Sequence, residues 1–288
     1  MGWRTLLITQ NCKLSYQNDY LLVRNENLQM VHLSEINTIV IDTGQVSITS
    51  FLVSELAKNK IKLIFVDEQH NPICETVPYY GNFNTSKKIL NQVKWDTEIK
   101  EKVWQKIVQN KIFNQYRILT NFGIQGADKL LEYVKDVEIG DKTNREGHAA
   151  KVYFNLLFGK KFVRHQSDGI NVALNYGYSI IMSTFSKEIV SKGYITQLGI
   201  NHKNEFNYFN FACDLMEPYR VLVDELVYQN QDRILNRDYK IELIDILNKK
   251  VKIDGKSQYV SNAIPIYIKS VVDSLDDANK IEILNYEL

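Results

Sequence analysis

The chain has 288 residues, and its content of 44% hydrophobic and 24% charged residues is typical of a folded globular protein, not of a disordered one. Its 35 basic and 34 acidic residues give a net charge of +1, so bulk charge neither indicates nor excludes a nucleic-acid partner. No apolar run approaches the roughly 20 residues of a membrane span, and the opening MGWRTLLITQ lacks the long apolar core of a signal peptide, so we expect no membrane association.

The first part of the chain is predicted to be a small β domain. Apolar and alternating runs separated by polar turns are typical of strands, and the stretches around residues 17–19 predict a hairpin. One segment in this region, SFLVSELAKNK, has the apolar spacing of a helix. The predicted strands are WRTLLIT, KLSYQND, YLLVRNE, INTIVIDT, VSIT and IKLIFVD, followed by a short hairpin that ends near Pro78.

A different pattern begins after the stretch PYYGNFNTSKK, which has no periodicity and is predicted to be a linker. Beyond it apolar residues recur at spacings of three and four, as in helices. One helix of about seven turns is predicted from residue 90, and others over 123–136, 145–158, 171–193, 212–230, 237–249 and 257–275. The sequence therefore predicts an α+β protein: a β-sandwich-like domain over residues 1–77, a linker over 78–88 and a larger all-α domain over 89–288.

Several familiar catalytic motifs are absent or incomplete. The chain has no P-loop, no G-x-G-x-x-G, no G-x-S-x-G and no H-E-x-x-H. Asp42-Thr43-Gly44 resembles the active-site loop of aspartic proteases, but that chemistry needs a second such carboxylate, which the chain lacks; we interpret the segment as a turn between strands. The three cysteines form no C-x-x-C pair, which predicts reduced thiols in a cytosol and no thiolate zinc site.

Carboxylates and a histidine recur at three polar places in the predicted helical region. Glu146 lies at a predicted helix start, where Thr143 or Asn144 would be the N-cap, and His202 lies in a polar segment. Asp214 and Glu217 are three residues apart and would share one face of a helix. Each feature has an ordinary structural interpretation, as a helix cap, a first-turn acid or a solvent-exposed loop histidine.

Taken together, these positions favour a metal site. Carboxylate oxygens and an imidazole nitrogen, with no thiolate, suit Mg²⁺ or Mn²⁺ acting on phosphate better than they suit structural zinc. The hypothesis is that Asp214 and Glu217 share a face because that face looks into the site, where the cation offsets the repulsion between two acids.

Four stretches in this order carry a resemblance to a known family: NREGHAAKVYFNLLFG, DGINVALNYGYSII, QLGINH and FACDLMEPYRVLVD. They resemble the CRISPR-associated spacer-acquisition integrases, the CRISPR-associated protein one family, and are most similar to the form found in type II systems. The resemblance spans essentially the whole chain. It implies the same outline as the periodicity, with a β domain, a linker and a helical domain.

The resemblance also implies roles for individual residues. It places the metal-binding and catalytic residues at Glu146, His202 and Glu217, with Asp214 as a neighbouring acid. Many members have arginine at the position of Lys151, and some branches have aspartate at that of Glu217. Six further positions are expected to lie near the metal or the DNA: Arg145, Lys151, Arg164, Asn171, Tyr178 and Arg220. Of these, the basic residues expected to contact phosphates are Arg145, Lys151, Arg164 and Arg220.

The activity implied is a metal-dependent DNA endonuclease and integrase reaction of antiviral defence in the prokaryotic cytoplasm. The 3′-OH ends of a short spacer duplex would be joined to a CRISPR repeat by transesterification, with Mg²⁺ or Mn²⁺ as the cofactor. The implied partners are DNA, a second copy of the chain bound through the β domain, and CRISPR-associated protein two. In type II systems the effector nuclease and a DNA-end-binding ring protein join them.

Two other functions stay open on the residues alone. One is a non-catalytic DNA-binding scaffold whose acids are only helix caps. The other is a helical metal-dependent phosphohydrolase that acts on a small substrate.

Overall fold

Two four-stranded sheets form the N-terminal part of the protein, which we analysed as a computed structural model. The structure describes residues 2, 4–67, 72–76, 84–164, 166, 168–277 and 280–287. In chain order the elements of the first part are β1 (Arg4–Ile8), β2 (Cys12–Gln17), β3 (Tyr20–Arg24), β4 (Leu28–His32), β5 (Ile36–Ile41), β6 (Val46–Ile48), α1 (Ser50–Lys58), β7 (Lys62–Val66) and β8 (Pro72–Glu75).

The strand order is β1-β5-β7-β8 in one sheet and β4-β3-β2-β6 in the other. The first three strands of the first sheet are parallel, and β8 runs antiparallel to β7. The predicted hairpin joins β2 to β3 through Asn18 and Asp19, which both have positive φ, as a tight hairpin turn requires. Both sheets and α1 contribute to one apolar core, in which Leu14, Ile39 and Leu52 are fully buried. The predicted N-terminal β domain is confirmed.

The second part is mainly helical. Its elements are α2 (Thr85–Val93), α3 (Thr97–Asn121), α4 (Lys129–Asp136), α5 (Arg145–Phe158), α6 (Gly169–Ser191), α7 (Asn210–Met216), α8 (Arg220–Gln229), α9 (Arg237–Asp245), β9 (Lys250–Ile253), β10 (Lys256–Tyr259) and α10 (Val260–Asp276). Of the predicted linker, residues 78–83 lie outside the described residues, and Thr85–Lys88 belong to α2. The α+β class is therefore confirmed, with helix beginning earlier than predicted.

The long helix predicted from residue 90 is two helices, α2 and α3. Asp96 between them has extended backbone angles, and its carboxylate accepts hydrogen bonds from the amides of Glu98 and Ile99 at 2.8 and 3.2 Å. An aspartate that caps the first turn in this way starts a new helix. The apolar periodicity runs through the break, which is why periodicity alone did not reveal it.

The helix predicted over 212–230 is also divided. Pro218 has no amide hydrogen to continue the α7 ladder, and a single 3-10 turn over Glu217–Tyr219 joins α7 to α8. One of the candidate site residues, Glu217, is the first residue of this turn.

The expectation of an all-helical second part needs one correction. The hairpin of β9 and β10 lies between α9 and α10, and its turn residues Asp254 and Gly255 have positive φ. An Asp-Gly pair is a strong hairpin signal. The predicted helix over 257–275 absorbed the second strand of this hairpin.

A lysine hydrogen bond and an ion pair join the β domain to the helices. Lys62 on β7 donates to the Ser183 carbonyl on α6 at 2.5 Å and lies 2.6 Å from Glu75. Asp42, just after β5, accepts from Lys240 on α9 at 2.9 Å. The turn predicted at Asp42 thus also carries a buried contact between the two parts. Among the described residues, no helix is both long and apolar enough to cross a membrane.

Candidate metal centre

Glu146 reaches the site from the first turn of α5. Asn144, one of the two predicted caps, accepts from the amide of Gly147 at 3.3 Å, and its left-handed backbone turns the chain into the helix. Asp141 accepts from the amides of Arg145 and Glu146 at 2.8 and 3.0 Å. Because neighbouring side chains satisfy these amides, the Glu146 carboxylate extends away from its own helix end toward α3.

Lys111 on α3 lies between two predicted metal ligands. Its Nζ is 2.6 Å from Glu146 Oε1 and 2.5 Å from Glu217 Oε2. Arg220 Nε lies 2.9 Å from the other oxygen of Glu217. Two carboxylates from α5 and from the 3-10 turn after α7 therefore share one ammonium. This lysine was missed from the sequence, although it falls on the apolar stripe of α3 with Ile107 and Ile112, where a charge is unusual.

The charges of this cluster hold one another in the ionised state. Burial raises the pKa of Glu217, but the charges of Arg220 and Lys111 outweigh that effect, so the pKa is lowered from its usual value. Burial lowers the pKa of Lys111, and the charges of Glu217 and Glu146 raise it by more. Glu217 Oε2 is buried and accepts no well-oriented hydrogen bond, although the ammonium is close. Each oxygen of the Glu217 carboxylate thus faces a cation.

Asp214 holds the loop that carries His202. It is fully buried in α7 and accepts from the backbone amides of Ile200, Asn201 and His202 at 2.5, 3.0 and 3.0 Å. A β-carbon at Gly199 would lie 2.7 Å from Asp214 Oδ2, so glycine permits this approach. The interpretation of Asp214 as a cap of its own helix is therefore wrong, because its oxygens are turned toward residues 200–202.

The same carboxylate orients the His202 ring. Nδ1 lies 2.5 Å from Asp214 Oδ1, and an acceptor there makes Nδ1 the donor and leaves Nε2 as the ligating nitrogen of a neutral ring. Trp104 contacts the ring edge-to-face with centroids 6.0 Å apart. The hydrogen bond to Asp214 raises the pKa of His202. The negative charges of Glu217 and Glu146 also raise it, so both acids act electrostatically on the imidazole.

The residues present fit a hard divalent ion. The donors are two carboxylates that share the Lys111 ammonium and an imidazole whose second nitrogen is held by a carboxylate, as is usual for metal-binding histidines. As placed, no three His, Cys, Asp or Glu side chains of the described residues are close enough to hold a metal ion together. A positive charge, the Lys111 ammonium, lies between Glu146 and Glu217 instead.

Two further predicted residues are buried beside the site. Asn171 donates to the Val163 carbonyl at 2.9 Å and is hydrogen-bonded to Arg164. Tyr178 donates to the buried carboxylate of Asp224. Neither side chain reaches the surface, at 1% and 7% exposure, so each acts on the site only through its neighbours.

The predicted basic residues differ in their surroundings. Arg164 and Arg220 both face the Tyr178 ring, at 5.3 and 4.7 Å from its centroid, and Arg145 is 6.0 Å from the centroid of another tyrosine ring. Lys151 is exposed on α5. Two guanidinium groups therefore converge on one aromatic ring beside Glu217.

Comparison with known proteins decides the family. The family model described as "CRISPR associated protein Cas1" matches residues 6–250. The chain belongs to the Cas1 family. It is 34% identical over 287 residues to the CRISPR-associated endonuclease Cas1 of Neisseria meningitidis serogroup C (strain 8013), covering 97% of this chain and 94% of that protein. It is 24% identical over 284 residues to a CRISPR-associated endonuclease Cas1 of Francisella tularensis subsp. novicida (strain U112), covering 90% and 89%.

Solved structures of the Cas1 type share the fold. A casposase bound to an integration product superposes with a TM-score of 0.78 at 20% identity, over 98% of this chain and 92% of that one. A Cas1 protein from Thermotoga maritima gives a TM-score of 0.78 at 16% identity, over 94% and 97%. A chain of a Cas6-RT-Cas1–Cas2 complex gives 0.72 at 21% identity, over 95% of this chain and 35% of that one. The order of a β domain and a helical domain is thus that of the family.

Proposed function

We propose that the chain is a metal-dependent DNA integrase of CRISPR adaptation, which joins the 3′-OH ends of a short spacer duplex to a CRISPR repeat by transesterification. The observation that carries this proposal is that Glu146 and Glu217 share one ammonium while His202, held by Asp214, is near enough for the charges of both acids to raise its pKa. Membership of the Cas1 family and the likeness to a casposase bound to an integration product support it.

Glu146, His202 and Glu217 would hold Mg²⁺ or Mn²⁺. When bound, the ion would supply charge neutralisation at the phosphate and a lowered pKa for the attacking hydroxyl. The chain's own residues prepare the site. Asp214 fixes the His202 ring through Nδ1 and so presents Nε2, and Arg220 at 2.9 Å keeps Glu217 ionised and in place.

The nucleophile in this reaction is the 3′ hydroxyl of the DNA. A protein serine, cysteine or tyrosine nucleophile is therefore not needed, which agrees with a sequence that has no such motif. Arg145, Lys151 and Arg164 are proposed to bind phosphates beside the metal, where their positive charges would position the duplex.

The partners proposed are DNA, CRISPR-associated protein two and a second copy of the chain. The likeness to a Cas6-RT-Cas1–Cas2 complex supports the second of these. For the homodimer, the observation is the edge strand β4, where Leu28 and Met30 are 52% and 51% exposed. Exposed apolar side chains on an unpaired strand edge favour contact with another chain.

The test is strand transfer of a labelled short duplex into a supercoiled plasmid that carries the repeat, with Mg²⁺, Mn²⁺ or EDTA. We expect metal-dependent transfer that a 3′-dideoxy duplex does not support. Glu217→Gln, which keeps the shape of the side chain but removes its charge, should abolish transfer. DNA binding without metal-dependent transfer would favour a scaffold, and hydrolysis of nucleotides with no preference for DNA would favour a phosphohydrolase.

A further inference from the structure

The Lys111 ammonium has the position of a bridging cation. It lies 2.6 Å from Glu146 and 2.5 Å from Glu217, with one oxygen from each carboxylate. These two residues come from different elements, α5 and the 3-10 turn after α7. Without a cation between them, two carboxylates so placed would repel each other and separate.

The four charged side chains of the cluster balance. Lys111 and Arg220 contribute two positive charges, and Glu146 and Glu217 contribute two negative ones. A divalent ion that binds both carboxylates would meet the ammonium at close range, where repulsion between charges in a partly buried site is strong. The ion and the ammonium therefore compete for the same oxygens.

The cluster is also open on one side. The Glu146 side chain is 21% exposed and that of Lys111 is 10% exposed, whereas that of Glu217 is 5% exposed. Lysine has a flexible four-carbon stem, and its ammonium is readily solvated. Movement of Nζ toward the Glu146 side would bring it into water without a change in the backbone of α3.

We propose that Lys111 is a built-in counter-ion that holds Glu146 and Glu217 together before metal binding and that the divalent ion displaces it. The inference rests on the proposed metal-dependent function and adds a residue to its site. Lys111 is a positioning residue here, since it acts through the two carboxylates. The affinity for the metal ion is then lowered because the ion must displace the Lys111 ammonium.

The first test measures Mn²⁺ binding without DNA by isothermal titration calorimetry. Lys111→Met keeps the stem and removes the charge, which changes the balance of the cluster from zero to −1. We expect Mn²⁺ to bind at least about tenfold more tightly to this variant than to the wild type, because one like charge is gone. In EDTA the variant should melt at a lower temperature than the wild type, and Mn²⁺ should remove this difference in melting temperature.

Two matched variants control the comparison. Lys106→Met removes the same charge from an exposed position on α3, where Lys106 donates to Gln109, and should leave both the Mn²⁺ affinity and the melting temperature in EDTA unchanged. Lys111→Arg keeps the charge and should bind Mn²⁺ no more tightly than the wild type. An equal Mn²⁺ affinity in Lys111→Met and the wild type would overturn the displacement.

A second measurement needs no variant and covers the case in which Lys111→Met does not fold. Amine labelling of the wild type, read by mass spectrometry, should show several-fold faster modification of Lys111 when Mn²⁺ is added, with the exposed Lys106 unchanged. Equal labelling of Lys111 with and without Mn²⁺ overturns the inference. If labelling of Lys111 is equal but the wild type binds Mn²⁺ and Glu217→Gln does not, only the displacement of Lys111 is overturned. If neither protein binds Mn²⁺, both the inference and the proposed metal site fail.

Discussion

Two buried charge clusters in this protein differ in how many carboxylates share one lysine ammonium and in how exposed their side chains are. Asp42 and Lys240 form one acid–base pair at 2.9 Å, with side chains that are only 3% and 7% exposed, and the Lys240 ammonium is 5.5 Å from the centroid of the Tyr176 ring. At the candidate metal centre, two carboxylates share the Lys111 ammonium, and Glu146 is 21% exposed.

The difference separates a structural contact from a functional one. A buried pair with matched charges loses stability when one partner is removed but offers nothing to a ligand. A cluster in which two acids share one lysine, with an opening to solvent, lets a divalent ion compete with that ammonium for the carboxylates. Asp42, whose D-T-G setting resembled a protease loop, belongs to the first kind because Lys240 already neutralises it.

The largest loss of activity is predicted for His202→Ala, at the candidate metal centre. The variant should lose strand transfer entirely but keep its fold and DNA binding, because the His202 side chain is 41% exposed. Asp214 would still accept the three backbone amides, so the free energy of unfolding should fall by no more than about 1 kcal/mol. Circular dichroism, filter binding and the strand-transfer assay together measure this. An unfolded variant would mean that the histidine is structural.

The matched pair should respond in the opposite way. Lys240→Met removes the ammonium that lies 2.9 Å from the buried Asp42 carboxylate, and the free energy of unfolding should fall by about 3–5 kcal/mol. Strand transfer per folded molecule should be unchanged. Urea denaturation gives the first quantity and activity at a fixed folded concentration the second.

A control for that variant is Lys252→Met. Lys252 and Glu287 form a pair at 3.4 Å with side chains that are 56% and 63% exposed. Such a surface pair contributes roughly 0–1 kcal/mol. A Lys240→Met effect no larger than that of Lys252→Met would contradict the distinction between the clusters.

Local features of both regions could be predicted from the sequence. The hairpin at Asn18 and Asp19, the Asn144 cap and the positions of Glu146 and His202 depend on residues close together in the chain, where turn and capping chemistry decide. The spacing of Asp214 and Glu217 was correctly seen as unusual. The hypothesis that both carboxylates face the metal site was wrong for Asp214, whose oxygens instead accept hydrogen bonds from the backbone amides of residues 200–202.

Pairings across the fold could not be predicted in this way. Lys111 is 35 residues from Glu146, and Lys240 is 198 residues from Asp42. Neither separation has a local signal, since each pair forms only when helices and sheets pack. Lys62 is the last residue of the basic stretch KNKIK at residues 58–62, a pattern typical of a solvated segment, but it is buried beside Glu75 for the same reason.

A third buried acid, Asp224, differs from both clusters because it accepts a hydrogen bond from a tyrosine, Tyr178. Burial raises the pKa of Asp224 from 3.8 to about 6, although the hydrogen bond from Tyr178 opposes the shift. A raised carboxyl pKa contributes stability that is full below about pH 4 and is lost as the pH rises through 6. Relative to Asp224→Asn, the wild type should lose about 2 kcal/mol between pH 4 and pH 6.5. Urea denaturation of both at several pH values measures the difference, with Asp232→Asn at an exposed carboxylate as the control.

The smallest effect is expected in the salt dependence of DNA binding. Each neutralised phosphate adds roughly 0.9 to the log–log slope on duplex DNA, so alanine at Arg145, Lys151 and Arg164 should flatten it by about 2–3 units. Arg220 was also predicted to bind DNA but is engaged with Glu217, so it is left in place.

The matched control changes the β domain. Substituting the whole KNKIK segment would remove the buried Lys62, so only Lys58 and Lys60 are replaced by alanine. This control should change the slope by much less than the triple variant, and the triple variant should weaken binding on any DNA sequence alike. Filter binding across a salt series compares the two. The reverse ranking would place the DNA on the β domain, and the open charge cluster would then lie away from the substrate that it is proposed to serve.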